Sequence, residues 1–547
     1  MIYLAFLILI LPLLGTLFLL YIQSSSRKLS IFVSNISILL SFLISIYLLY
    51  LYFTSSYEPL SRDILVFANV QTFSLAFGLY IDSLSLIMSA VVTSVSLLVH
   101  YYSISYMKDE TSYNRFFVYT NFFTFSMLLI VFSNNFFQLF IGWELVGLSS
   151  YLLIGFWIKK DSAVKANYKA FLVNRVGDVG LILGLCLILI SYNTTDYNQV
   201  FNLKGLISSS ETNIFGFSFN TLSVICLLLF IGAMAKSAQV PLHFWLPDSM
   251  EGPTPISALI HAATMVTAGI YMVARLSPLY ELTDDVSLFI LYIGSITAFF
   301  LGLVALIQND IKRIIAYSTI SQLGYMTAAL GASLYSLAIF HLITHAFFKA
   351  LLFLCAGSII IKCHHEQDIR KIGGLKKFMP ITYLAFLYAS LSLIGFPLTS
   401  GFYSKESIID GIGYYGHTIP YVMLLLSIFT TTLYTSKIFF KVFFGDSTLH
   451  FSKNETQIEN DYEMLAPLVI LTAPSVFLGL FIFDPLMSGK LFQSSTISGE
   501  LVSNFYYDYV INSLDHDSVL LLKKQVNGGI KKLELVKDSQ LRTGGLI

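Results

Sequence analysis

Apolar stretches long enough to cross a bilayer recur from one end of the chain to the other, and this leaves few folds open. They fall near 2–22, 30–53, 81–103, 115–132, 135–158, 166–192, 220–247, 255–276, 286–307, 311–331, 333–361, 380–400, 419–444 and 464–483. A hydrocarbon core of about 30 Å takes roughly 20 helical residues to span, so these read as about fourteen transmembrane helices. Lipid supplies no partners for backbone N–H and C=O groups, so each crossing has to be helical and the fold all-α. Hydrophobic residues make up 56% of the 547 and charged residues 12%, about half the charge fraction of a soluble chain. The mean hydropathy is +0.75. The first stretch lacks a basic leader and is read as a helix rather than a cleaved signal. Residues 63–80 alternate apolar and polar side chains, which predicts a short surface hairpin.

Charge matters here by position. Lys plus Arg and Asp plus Glu stand at 32 each, so no basic field invites nucleic acid. The connections after odd-numbered spans carry Arg27, Lys28, Lys108, Arg115, Lys159, Lys160, Lys165, Lys312, Arg313, Lys362, Arg370, Lys371, Lys376, Lys377 and Lys453. Those after even-numbered spans carry little beyond Arg62, Lys204 and Arg275. The positive-inside rule then puts the N-terminus on the outer face. The four cysteines, Cys186, Cys226, Cys355 and Cys363, form no C-x-x-C pair and read as small apolar fillers.

Two spans look broken. In the seventh, AKSAQVPLHFWLP sets Lys236 ahead of Pro241; in the twelfth, IGFPLTSGFYSKES sets Pro397 and Gly401 ahead of Lys405. Proline frees backbone groups that need new partners, so such breaks line protein or water-filled cavities. They lie five spans apart, and an odd offset reverses direction across the membrane, which points to inverted repeats over spans 4–8 and 9–13. The expected layout is 1–114 for three N-terminal spans and the hairpin, 115–276 and 286–444 for the repeats, 445–485 for a last span, and 486–547 for a polar tail.

Ionisable residues at bilayer depth are costly and are functional candidates by default. Glu144 lies mid-span in FIGWELVGLSS, and Lys236 is its natural partner. Desolvation disfavours the ammonium and a carboxylate favours it, so a lysine held between the two can take up and release a proton. His341, His345 and Lys349 stand at i, i+4 and i+8, within about 80° on one helix face. Imidazoles relay protons near neutral pH, so the stripe reads as a wire. Zinc is the rival, but the glutamate of H-E-x-x-H and a third ligand are missing. His261 sits within the eighth span; Asp178 and Arg175, three apart on the sixth, read either as pathway groups or as an internal ion pair. Lys437 lies deeper in the thirteenth span than Lys441, which can snorkel to the interface.

GWELVGLSSYLLIGFW (142–157), KSAQVPLHFWLPDSMEGPTPISALIHAATMVTAGIY (236–271) and HLITHAFFKALLFLCAGSII (341–360) closely resemble chain 5 of respiratory complex I, over roughly residues 1–485. That family shares its fold with cation/proton antiporter subunits. The resemblance implies a proton-translocating membrane-arm subunit of NADH:ubiquinone oxidoreductase, in the mitochondrial inner membrane or a bacterial plasma membrane. It implies pathway roles for Glu144, Lys236, His261, His341, His345, Lys349 and Lys405, with Glu406 where an aspartate is commoner, and for Asp178 and Arg175. No dinucleotide turn or iron–sulfur cysteine run is present, so NADH, FMN, iron–sulfur clusters and ubiquinone would belong to other subunits. The implied partners are membrane-arm subunits, above all the sister chain 4, with accessory subunits and phospholipids. After about residue 485 nothing of spanning length matches the family's further spans and lateral helix, so residues 486–547 are expected to be a polar tail or a shortened lateral helix. An Mrp-type Na⁺/H⁺ antiporter subunit, whose chain runs longer, is the nearest rival. A haem cytochrome is another: His341 and His345 cannot be opposite axial ligands, whereas His100 and His261 could.

Overall fold

The computed structural model describes residues 1–446 apart from 23–25, 56–57, 71–72, 208–209 and 215–216, and then 459, 461–487 and 491. Helices α1 (Ile2–Ile22) and α2 (Arg27–Ser55) lead into a hairpin of β1 (Leu60–Val70) and β2 (Phe73–Ile81). Then come α3 (Ser83–Tyr106), α4 (Tyr113–Val131), α5 (Phe136–Ile154), α6 (Asp161–Tyr192), a short α7 (Tyr197–Ile207) and a second hairpin of β3 (Glu211–Ile214) and β4 (Phe217–Asn220). The seventh crossing is α8 (Thr221–Lys236) with a one-turn α9 (Trp245–Asp248); the eighth is α10 (Thr254–Ala262) and α11 (Met265–Arg275), followed by a short α12 (Ser277–Tyr280). The second half runs through α13 (Asp284–Ile307), α14 (Ile311–Gly331), α15 (Tyr335–Lys362), α16 (Pro380–Ile394), α17 (Ser400–Tyr414), α18 (Thr418–Phe444) and α19 (Tyr462–Met487).

Among the described residues ten helical crossings are long and apolar enough to span a membrane, counting α10 with α11 as one. The more polar α4 and α14 and the shorter α8 and α16 bring the crossings to the number read from sequence. Neighbours recur between the halves: α4 packs on α5 as α13 does on α14, and α5 on α6 as α14 on α15. At the α13–α14 contact the backbones nearly touch; a Cβ on Gly324 would stand 2.5 Å from the Ala298 amide nitrogen. Small residues allow this approach, which is how helices adhere where lipid removes the hydrophobic drive. The α10–α11 crossing and α15 form the buried axis, while α19 and α2 mostly face outward.

Two loop assignments change, and the deeper lysine of the thirteenth span finds its partners. Arg275, read as a loop charge, is fully buried and clasps Asp82 through Nη1–Oδ2 at 2.6 Å and Nη2–Oδ1 at 2.9 Å. Asp82 also accepts from the Ser85 amide as N-cap of α3. Lys312 is buried too, donating to the carbonyls of Met250 and Gly252. Lys437 donates to Leu306 O at 2.8 Å and Gln308 O at 2.7 Å, closing the C-terminal end of α13. The expected polar tail, apart from Leu486, Met487 and Leu491, lies outside the described residues.

Candidate proton pathway

Each break in a helix leaves carbonyls that the local sequence must satisfy. After α8 the chain passes a cis Val240–Pro241 bond, and the Trp245 indole turns back to donate to Ala235 O at 2.9 Å. After α16 the backbone enters the left-handed region at Gly395 (φ 88°), where glycine carries no Cβ penalty. Gly401 N then bonds Ser392 Oγ at 3.1 Å, and Lys405 Nζ approaches Ile394 O at 3.5 Å. A third break, which the sequence reading lacks, separates α10 from α11 at residues 263–264. Thr264 Oγ1 donates there to Leu259 O at 2.7 Å, and His261 occupies the last turn of α10.

The first cluster lies between α5, α6 and α8. Glu144 Oε2 pairs with Arg175 Nη1 at 2.5 Å, and the same nitrogen stands 3.8 Å from Asp178 Oδ2. Asp178 Oδ1 accepts from the Trp143 indole at 2.8 Å. The expected Glu144–Lys236 pair is therefore replaced: among the described residues no ion pair or hydrogen bond reaches Lys236 Nζ, which is buried 5.8 Å from the Trp143 ring centre. Glu144, Arg175, Asp178 and Lys236 nonetheless line one cavity, with Gly147, Ser150 and Asn174. Arg175 is the group that spacing alone could not assign. It competes for both carboxylates.

The second cluster is built around α15. His341 Nδ1 meets Ser404 Oγ at 2.9 Å, and its Nε2 meets Gln322 Oε1 at 3.1 Å. The His341 and His345 rings lie 6.3 Å apart, and His345 has neither nitrogen bonded to protein. Lys349 Nζ donates to Ser318 Oγ at 2.5 Å. Lys405, on α17, is 1% exposed, 4.9 Å from the Tyr325 ring centre and 3.5 Å from Thr431 Oγ1. Its expected neighbour Glu406 turns to the exposed side, and no ion pair joins the two among the described residues. Sequence reasoning missed Ser318, Gln322, Ser404 and Thr431; hydroxyls and amides on apolar helices give no signal of their own until the helices are rotated into place.

His261 stands between the clusters. Its Nε2 lies 3.3 Å from Ser249 Oγ, and its ring is 5.1 Å from the Phe353 ring. Ser249 belongs to the loop segment that carries Glu251, whose carboxyl binds Lys160 at 2.7 Å and Ser162 at 2.8 Å. Burial pushes the Glu251 carboxyl up, but the bonds from Lys160 and Ser162 outweigh it and hold the group below its ordinary value. Among the described residues no cluster of three or more His, Cys, Asp or Glu side chains could hold a metal ion. The cysteines are unpaired, three buried and Cys186 exposed.

The architecture and the buried ionisable axis define a class: polytopic membrane subunits with an antiporter-like fold. Residues 133–433 match the family described as NADH:quinone oxidoreductase/Mrp antiporter, transmembrane. The archaeal membrane-bound sulfane sulfur reductase, a respiratory membrane complex, contains a chain that superposes with TM-score 0.77 at 22% identity, covering 92% of this chain and 98% of that one. A chain of the Mrp complex from Dietzia sp. superposes at 0.74 and 22% identity, covering 96% and 60%. Residues 67–117 match the N-terminus of NADH-ubiquinone oxidoreductase (complex I) chain 5. NADH-quinone oxidoreductase subunit L of Neisseria meningitidis is 46% identical over 520 residues, 91% of this chain and 75% of that protein. NADH-ubiquinone oxidoreductase chain 5 of Marchantia polymorpha is 48% identical over 421 residues, 76% of this chain and 63% of that protein. The chain belongs to the complex I chain 5 (subunit L) family.

Proposed function

We propose that this chain is a proton-translocating membrane-arm subunit of NADH:quinone oxidoreductase. It couples electron transfer in other subunits to proton movement through Glu144, Asp178, Arg175, Lys236, His261, Lys349, His345, His341 and Lys405. NADH, FMN, iron–sulfur clusters and ubiquinone belong to those other subunits. The observation that carries the reading is the set of buried bases at bilayer depth, Lys236, His261, Lys349, His345, His341 and Lys405. Several have ring or ammonium nitrogens with no protein partner. Such groups are held at high cost and are retained where a proton must pass. The likeness to Mrp subunits concerns the fold; the chain 5 relatives favour the complex I assignment over an antiporter.

The switch differs from a simple Glu–Lys pair. Arg175 holds Glu144 and stands near Asp178, so a swing of its guanidinium toward Asp178 frees Glu144 to face Lys236. A carboxylate brought closer favours the ammonium and one withdrawn releases its proton, which is how charge displacement drives transfer. Arg175 is 45% exposed and Glu144 21%, beside the outward-facing Leu172, Val176 and Val179 of α6. An ion pair facing lipid at this depth is expensive, and we assign its cover to an adjoining membrane-arm subunit, the sister chain 4. Partner motion would thereby reach Arg175 directly.

Residues 115–276 and 286–444 are the two proposed repeats, with Lys405 toward the outlet and the N-terminus on the outer face. Loop lysines and arginines support this orientation even after Lys312 and Arg275 move into the interior. We assign the chain to the mitochondrial inner membrane, with the bacterial plasma membrane as its counterpart among the bacterial relatives. Lys236→Ala tests the function. The assembled complex should lose at least about tenfold in coupled NADH:quinone turnover, as for removal of an acid–base group. Lys236→Arg should be similarly damaging because guanidinium stays protonated. Unchanged protons per NADH in assembled Lys236→Ala enzyme would refute the reading.

A further inference from the structure

The site contains a glycine that the pathway described above does not use. Gly147 lies mid-helix in α5, one turn beyond Trp143 and Glu144. Glycine is unfavourable in a helix interior relative to alanine, so its presence there calls for a local reason. The usual reason is close packing of helices, and Gly142 on the same helix shows it. A Cβ on Gly142 would stand 2.8 Å from Ile130 Cγ1 and 3.0 Å from the Ile130 amide nitrogen of α4. Among the described residues Gly147 packs against no backbone outside its own helix. Beyond its own helix backbone, a Cβ placed there meets one heavy atom within 4 Å among the described residues, the Lys236 Nζ at 2.8 Å.

We infer that Gly147 is the seat of the Lys236 ammonium, a positioning residue that sets where this nitrogen stands relative to Glu144 and Asp178. The inference rests on the pathway reading proposed above. Among the described residues Lys236 Nζ has no hydrogen bond or ion pair to hold it, so its place is set by shape: it lies by the face of α5 that carries the Trp143 ring and, one turn on, the bare backbone at Gly147. A methyl group there would displace Nζ by a few tenths of an ångström or more, toward or away from the carboxylates of the same cavity. The lysine chain is flexible and can yield, so the fold itself is not strained. Position and stability are thereby separated: alanine favours the helix, while the ammonium is evicted from its seat.

The test is a cycle of Gly147→Ala, Lys236→Ala and the double variant in the whole purified complex reconstituted in liposomes. Protons pumped per NADH, the pH profile of coupled turnover and the thermal midpoint are measured for each. Gly147→Ala should keep or raise the thermal midpoint. Its coupled turnover should fall between about 10- and 100-fold, as for misplacement of a reacting group by up to an ångström, and its pH profile should shift. In the Lys236→Ala background the same substitution should leave residual turnover and its pH profile unchanged, because the Nζ it would displace is gone, while the thermal midpoint is again kept or raised. Wild-type pumping and pH profile in Gly147→Ala, with pumping lost in Lys236→Ala, overturn the seat and leave the pathway standing. Impaired assembly or a lowered midpoint from Gly147→Ala, in either background, overturns it in favour of a packing role. Normal pumping in Lys236→Ala overturns both.

Discussion

Replacing Arg275 by methionine should be among the most damaging single changes outside the pathway. Arg275 and Asp82 are both fully buried. The guanidinium makes two bonds to the carboxylate, donates to Tyr271 Oη at 2.8 Å from Nη2 and lies 4.8 Å from the Tyr80 ring centre. Its removal leaves a buried carboxylate with no counter-ion, which costs about 3–5 kcal/mol. Asp82→Asn leaves the opposite charge, although asparagine still caps α3. The double variant Asp82→Asn/Arg275→Met carries neither charge and should recover about 1–3 kcal/mol of the sum of the single losses. The assay is a double-mutant cycle read as abundance of assembled complex and its thermal midpoint, with protons per NADH as control. The double variant should lose less stability than the two single losses added, with pumping stoichiometry unchanged in whatever assembles. A single variant that melts with the wild type, or a double variant as unstable as both losses added, would refute the reasoning.

Other outcomes follow from the geometry. His345→Leu removes no protein hydrogen bond and should leave the thermal midpoint unchanged while cutting coupled turnover by about tenfold. His341→Leu strands Gln322 Oε1, while Ser404 keeps its bond with Thr344 Oγ1, and should also cost about 1–3 kcal/mol of stability; the double replacement should lose more turnover, in log rate, than the two singles added. Lys405→Ala should lose at least about tenfold in pumping, whereas Glu406→Gln should pump within about twofold of wild type because the carboxylate lies on the exposed side of α17. A reversed order for Lys405 and Glu406, measured as protons per NADH, would exclude the outlet role.

What could be read from sequence was what lipid enforces. Every crossing announces itself by length and apolarity, and the breaks near Pro241 and Pro397 announce themselves by proline. The break between His261 and Met265 does not, since Ala262, Ala263 and Thr264 carry no breaker. The α7 helix and the β3–β4 hairpin sit in a polar connection too short for periodicity to resolve. The family resemblance was legible over most of the chain; Lys236, His261, His341, His345, Lys349 and Lys405 are buried, whereas Arg175 and Glu406 reach the surface. Their pairings were not legible. Arg175 took Glu144 because α6 presents it toward α5, and helix rotation is invisible to spacing along a chain. Arg275 and Asp82 are 193 positions apart, beyond any local pattern, and a charge at a helix end reads as solvated until its partner is seen.

The three breaks and the proposed pathway share a physical cause. A buried ammonium or imidazole needs polar neighbours that a continuous helix in lipid cannot provide, since all its carbonyls are taken. Lys236 ends α8, His261 lies in the final turn of α10, and Lys405 Nζ approaches the last carbonyl of α16. The C-terminal end of a half-helix carries partial negative charge, which favours a cation there. The unbroken α15 solves the same problem differently, by taking hydroxyl and amide partners from its neighbours: Ser318 and Gln322 from α14, Ser404 from α17. Helix ends are a fixed source of field, whereas hydroxyls rotate and both donate and accept. Half-helix ends therefore suit the sites where a proton is held, and hydroxyl-lined imidazoles suit the stretch along which it is passed.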